Sequence, residues 1–124
     1  MTGNEYQQLA MGTNDKKNTL RLTEAMCNNR AVSVAQLLNG VLGLTGESGE
    51  VSDLVKKGIF HEKGIDLEHL KKELGDCAWY LAMICDACGF TLDDVMQTNI
   101  DKLKARYPED FDTYRANNRA EGDI

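Results

Sequence analysis

Between Ala31 and Lys57 the apolar side chains Val34, Leu37, Val41, Leu44, Val51 and Val55 recur at spacings of three, four and seven. That rhythm matches one face of a helix with 3.6 residues per turn. A helix this long cannot leave its stripe in water, so the chain must fold by packing helix on helix. Two more stripes follow. Leu67, Leu70, Leu74, Ala78, Leu81 and Cys85 form one, with Asp66 placed to cap it and Gly89 to stop it. Leu92, Val95, Met96, Ile100 and Leu103 form the other, begun by Thr91 and Asp94 in a capping-box spacing and ended near Arg106, ahead of Pro108. "NEYQQLAMGTN" suggests a short first helix, Leu20 to Cys27 a second, and "KKGIFHEKGID" a connector with two glycines. Pro108 is the only proline, and no alternating Val/Ile/Thr run announces a strand. The expectation is an all-α fold of four to five helices. It forms one domain over residues 1–111, with a motif core at 36–111 and a polar tail at 112–124.

A chain of 124 residues supports one modest core. The net charge of −6 counts against a surface that tracks nucleic-acid phosphates, which calls for a concentrated basic patch. No apolar run approaches the roughly 18 residues of a membrane span, and "MTGNEYQQ" lacks the basic and apolar regions of a signal peptide. The expectation is a cytoplasmic protein with no membrane partner, whose Cys27, Cys77, Cys85 and Cys88 are reduced.

Placed at about 100° intervals around a helix axis, Glu47 and Glu50 fall on a strip flanking the first long stripe, with Gln36, Asn39 and Gly43. Glu73 and Asp76 repeat the arrangement beside the second stripe, with Tyr80 one turn on. If the two helices pack antiparallel, four carboxylates converge on one seam. Four like charges there need protons or cations, and hard oxygen ligands with no His or Cys beside them favour Mg²⁺ or Mn²⁺. The plainer alternative is a solvated face compensated by Lys56, Lys57, Lys71 or Lys72. Gly43, Gly46 and Gly49 each weaken a helix by roughly 1 kcal/mol relative to Ala, a cost that close approach explains better than an open surface. On the last stripe Asn99, Lys102 and Arg106 border the apolar face; they suit phosphate oxygens or form a snorkelling edge.

Other features carry less. His61 and His69 read as surface histidines, Cys85-Asp-Ala-Cys88 as small core residues, and Trp79 and Met83 as interface or core filling. No Glu is followed three residues later by His, which disfavours a di-iron carboxylate bundle. A non-catalytic helical assembly protein that binds cations through its acidic strip is the alternative to an enzyme.

"GESGEVSDLVKK", "ELGDCAWYLA" and "NIDKLKARYP" in that order resemble the MazG-like nucleotide pyrophosphohydrolases of the all-α NTP pyrophosphatase superfamily, over roughly residues 36–111. The family's E-x-x-E and E-x-x-D pairs fall on Glu47 with Glu50 and Glu73 with Asp76. The resemblance implies cleavage of a nucleoside triphosphate between the α and β phosphates by a metal-activated water, with Mg²⁺ held by those four residues. It also implies a homodimer or homotetramer whose neighbouring chains complete the helical bundle. By the same resemblance Tyr80 lies where an aromatic meets the base, and Asn99, Lys102 and Arg106 lie near the phosphates. Lys57 and Asn39 match less closely.

Overall fold

The computed structural model describes residues 1–119 and 122, and every regular element among them is a helix. Along the chain these are α1 (Gly3–Met11), α2 (Asn18–Asn28), α3 (Val34–Phe60), α4 (Leu67–Cys88), α5 (Leu92–Arg106) and the short α6 (Thr113–Asn117). α6 lies within the segment read as a polar tail; residues 120, 121, 123 and 124 of that segment lie outside the described part.

Local chemistry sets most of the boundaries. Thr2 and Glu5 close a reciprocal capping box on α1: the Thr2 N–H donates to Glu5 Oε2 at 2.5 Å and the Glu5 N–H to Thr2 Oγ1 at 3.2 Å. Asp66 caps α4 and Thr91 caps α5 through side-chain oxygens that accept from the N–H groups of His69 and Asp94. Gly89 ends α4 in the left-handed region at φ 72°. The bonds from Phe90 N–H to Cys85 O and from Gly89 N–H to Asp86 O complete a Schellman motif there.

The connector is shorter than "KKGIFHEKGID" suggested, because α3 continues through Gly58 to Phe60. Gly58 serves contact rather than termination. A Cβ on it would lie 2.9 Å from both Gly64 O and Ile65 Cγ1 of the returning chain.

α3 and α4 pack antiparallel and hold the bulk of the contacts between elements. At their open end the Ser33 N–H donates to Ala87 O at 2.9 Å, and Gln36 Nε2 donates to Met83 O at 3.2 Å and Asp86 Oδ2 at 2.7 Å. Further along, Gly40 meets Ile84, and then the Tyr80 ring lies over Gly43. Each turn down α3 is thus matched by a turn back up α4.

Burial departs from the expectation. Cys85, Ala87, Gly40 and Gly58 are buried, and Val34, Leu37, Leu44, Val51, Val55 and Leu70 are half-buried. Val41, Leu67, Leu74, Leu81, Leu92, Met96, Ile100 and Leu103 remain exposed. Two helices cover only one strip of each other, and α2 and α5 touch the hairpin sparsely.

Candidate metal centre

Midway along the hairpin, one carboxylate oxygen each from Glu47 on α3 and Glu73 and Asp76 on α4 lie within 4.8 Å of one another. The antiparallel register produces this, since acids three residues apart stay on one flank of a helix and meet their counterparts across the seam. Glu47 and Glu73 are half-buried and Asp76 is exposed. Glu50 stands apart from the trio: it is exposed, and it lines an adjoining groove with Glu73.

The electrostatics fit a cation. Burial raises the Glu47 carboxyl above its ordinary value, and the negative charges of Asp76, Glu73 and Glu50 push it the same way. Three hard oxygens with no sulfur or imidazole among them suit Mg²⁺ or Mn²⁺.

The groove, ≈ 470 Å³ in volume, runs from these acids toward the α3–α4 connector, past Asp53, Lys57, Lys63 and His69. Lys57 Nζ sits 2.5 Å from Asp53 Oδ2. That bond, helped by the charge of Asp53, raises the ammonium's pKa; the same bond, helped by the charge of Lys57, lowers that of the Asp53 carboxyl.

The remaining predicted residues are dispersed. Tyr80 is half-buried, over Gly43 and edge-on to Trp79 with ring centroids 4.9 Å apart. Asn39 is exposed on α3 and Asn99 is exposed on α5. Lys102 and Arg106 also lie on α5, with the Arg106 guanidinium 6.0 Å from the Tyr107 ring centroid. Asn39, Asn99, Lys102 and Arg106 belong neither to the acidic trio nor to the groove lining. The turn at Gly89 carries α5 away from the hairpin, where it contacts α4 sparsely.

One sequence reading changes here. Close approach accounts for Gly43, where a Cβ would collide with the Tyr80 ring, but a Cβ on Gly46 or Gly49 meets nothing within 4 Å. His69, read as a surface histidine, is exposed but bonded, its Nε2 2.7 Å from Glu73 Oε1. The spacing of four residues between them on a helix was the available signal.

"Gene 37 protein" of Mycobacterium phage L5 is 35% identical over 78 residues, spanning 60% of this chain and 68% of that protein. No solved structure matches the chain. The family model of the MazG nucleotide pyrophosphohydrolase domain matches residues 36–111, a span that holds the whole α3–α4 hairpin apart from the first residues of α3, together with α5. The chain therefore belongs to the MazG nucleotide pyrophosphohydrolase domain family.

Proposed function

We propose that the protein is an Mg²⁺-dependent nucleoside triphosphate pyrophosphohydrolase that cleaves (d)NTPs between the α and β phosphates, releasing (d)NMP and pyrophosphate. The observation that carries this reading is the meeting of Glu47, Glu73 and Asp76 oxygens within 4.8 Å across the α3–α4 seam, in a chain of this family.

In this reading Glu47, Glu50, Glu73 and Asp76 hold Mg²⁺, with Mn²⁺ as a substitute. Bound there, the cations lower the pKa of a water and neutralise the departing pyrophosphate. The chain's own part is to keep these oxygens convergent and to accept the attacking water's proton on one of the carboxylates. Asn99, Lys102 and Arg106 contact the phosphates, Tyr80 meets the base, and Lys57 and Asn39 contribute at the edge. Since α5 stands off the hairpin within one chain, this reading calls for assembly to bring its residues to the acids.

The unit is one helical domain over residues 1–111 with a tail, assembled as a homodimer or homotetramer in the cytoplasm. Surface area supports assembly. The chain exposes 10142 Å², whereas a compact monomer of 13.8 kDa exposes about 6600 Å² by the usual scaling with mass. Among the described residues, no helix is long and apolar enough to cross a membrane.

The deciding experiment incubates the protein with Mg²⁺ and a panel of canonical and modified nucleotides and quantifies both products. Monophosphate and pyrophosphate in equal amounts are expected; orthophosphate in place of pyrophosphate contradicts the predicted bond. Glu50→Gln and Asp76→Asn should abolish turnover while leaving helical content intact, and full activity in either overturns the site.

A further inference from the structure

We infer that His69 is a positioning residue for the cation site, holding the Glu73 carboxylate in the orientation that binds metal. This rests on the proposed metal-dependent reading and adds to it a residue that the acidic motif does not contain.

Of the three converging carboxylates, Glu73 alone accepts a side-chain hydrogen bond among the described residues, from His69 Nε2 at 2.7 Å. An ionised carboxylate has no hydrogen to give, so the imidazole must be the donor, with its proton on Nε2. Glu73 also has more side-chain torsions to fix than Asp76, so it gains more than Asp76 would from an external tether.

The tether is itself anchored. His69 occupies the first turn of α4, where its backbone N–H donates to the capping carboxylate of Asp66 at 3.0 Å. The line Asp66, His69, Glu73 ties the end of the connector to the metal centre. Accepting from His69 at Oε1 leaves the carboxylate's other oxygen for a cation. Outer partners of this kind orient metal ligands, and losing one weakens metal affinity by about 10- to 100-fold.

The test measures Mn²⁺ binding to the nucleotide-free protein, by calorimetry and by the loss of the free-ion electron paramagnetic resonance signal. His69 is exposed on a helix, so His69→Ala keeps the fold, as circular dichroism will verify. Its Kd for Mn²⁺ should rise about 10-fold or more. His69→Gln, whose amide can donate to Glu73, should recover most of that loss. An alanine variant that binds Mn²⁺ as the wild type does overturns the inference and leaves the proposed function standing. Equal losses in both variants also overturn it, because the donated bond would not be the cause. A wild type that binds no Mn²⁺ sinks the metal-dependent reading itself, and this inference with it.

Discussion

Glu47 is held where ionising it costs more than in water, because burial and three neighbouring acids act in the same direction. A carboxyl with a raised folded-state pKa contributes stability below its unfolded pKa and loses that contribution as pH rises through the folded value. Metal-free Glu47→Gln should therefore melt higher than wild type at about pH 7 and nearly level with it at about pH 4. Asp15 and Asp53, whose pKa values are lowered, give the opposite slope in both proteins and cancel in the comparison. Saturating Mg²⁺ should reverse the order at neutral pH, since only the wild type keeps the full ligand set. Thermal melts at both pH values, with and without Mg²⁺, check all three outcomes. The meeting of Glu47, Glu73 and Asp76 was legible in the sequence because a spacing of three fixes acids to one flank of a helix; that Glu50 stands apart from them was not. Which glycine needs to be glycine was not, because Gly43 differs from Gly46 only in having Tyr80 over it. Gly43→Ala should destabilise by about 1–3 kcal/mol through overpacking. Made in a Tyr80→Ala background, where no ring is in the way, it should instead be neutral or stabilising by up to about 1 kcal/mol.

The helices themselves were readable because their ends are written in local chemistry. Asp66, Gly89 and Thr91 act within a few residues of their own positions, so no distant partner was needed to interpret them. Gly58 misled for the opposite reason: its neighbours, Gly64 and Ile65, become neighbours only once the hairpin closes. The C-cap gives the cleanest test at this scale. Gly89 sits at φ 72° with open space around its Cα, so Gly89→Ala meets no clash and pays only for the left-handed backbone. The expected loss is about 1–2 kcal/mol, read as a lower denaturation midpoint with an unchanged slope against denaturant. Mn²⁺ affinity should stay unchanged, because the cap lies at the far end of α4 from Asp66 and His69. A changed affinity would mean that the helix transmits strain to the acids.

The apolar stripes were also legible, but what covers them was not, since periodicity shows that a face must be buried and is silent on whose helix buries it. Among the described residues α3 and α4 cover chiefly each other, and most of the α5 stripe stays in water, with Met96 57% and Ile100 45% exposed. The surface of 10142 Å² exceeds the compact-monomer expectation by about 3500 Å² per chain, more than the share of about 1000–2500 Å² that each partner brings to a typical obligate interface. Self-association would hide this area and offer α5 a route to the acids of the hairpin, so stability and activity should share one concentration dependence. Ile100→Asp places an unpaired charge on the face that must be desolvated, and it should weaken self-association by about 10-fold or more. Sedimentation equilibrium should show the wild type as an oligomer at micromolar concentration and the variant shifted toward monomer, with a lower melting temperature that recovers as protein concentration rises. Nucleotide turnover should fall with the oligomer fraction, while the variant assayed at concentrations that restore assembly should regain it. A wild type that sediments as a monomer throughout, with concentration-independent melting and turnover, would leave the α5 stripe without a partner and would remove the route by which Asn99, Lys102 and Arg106 reach the phosphates.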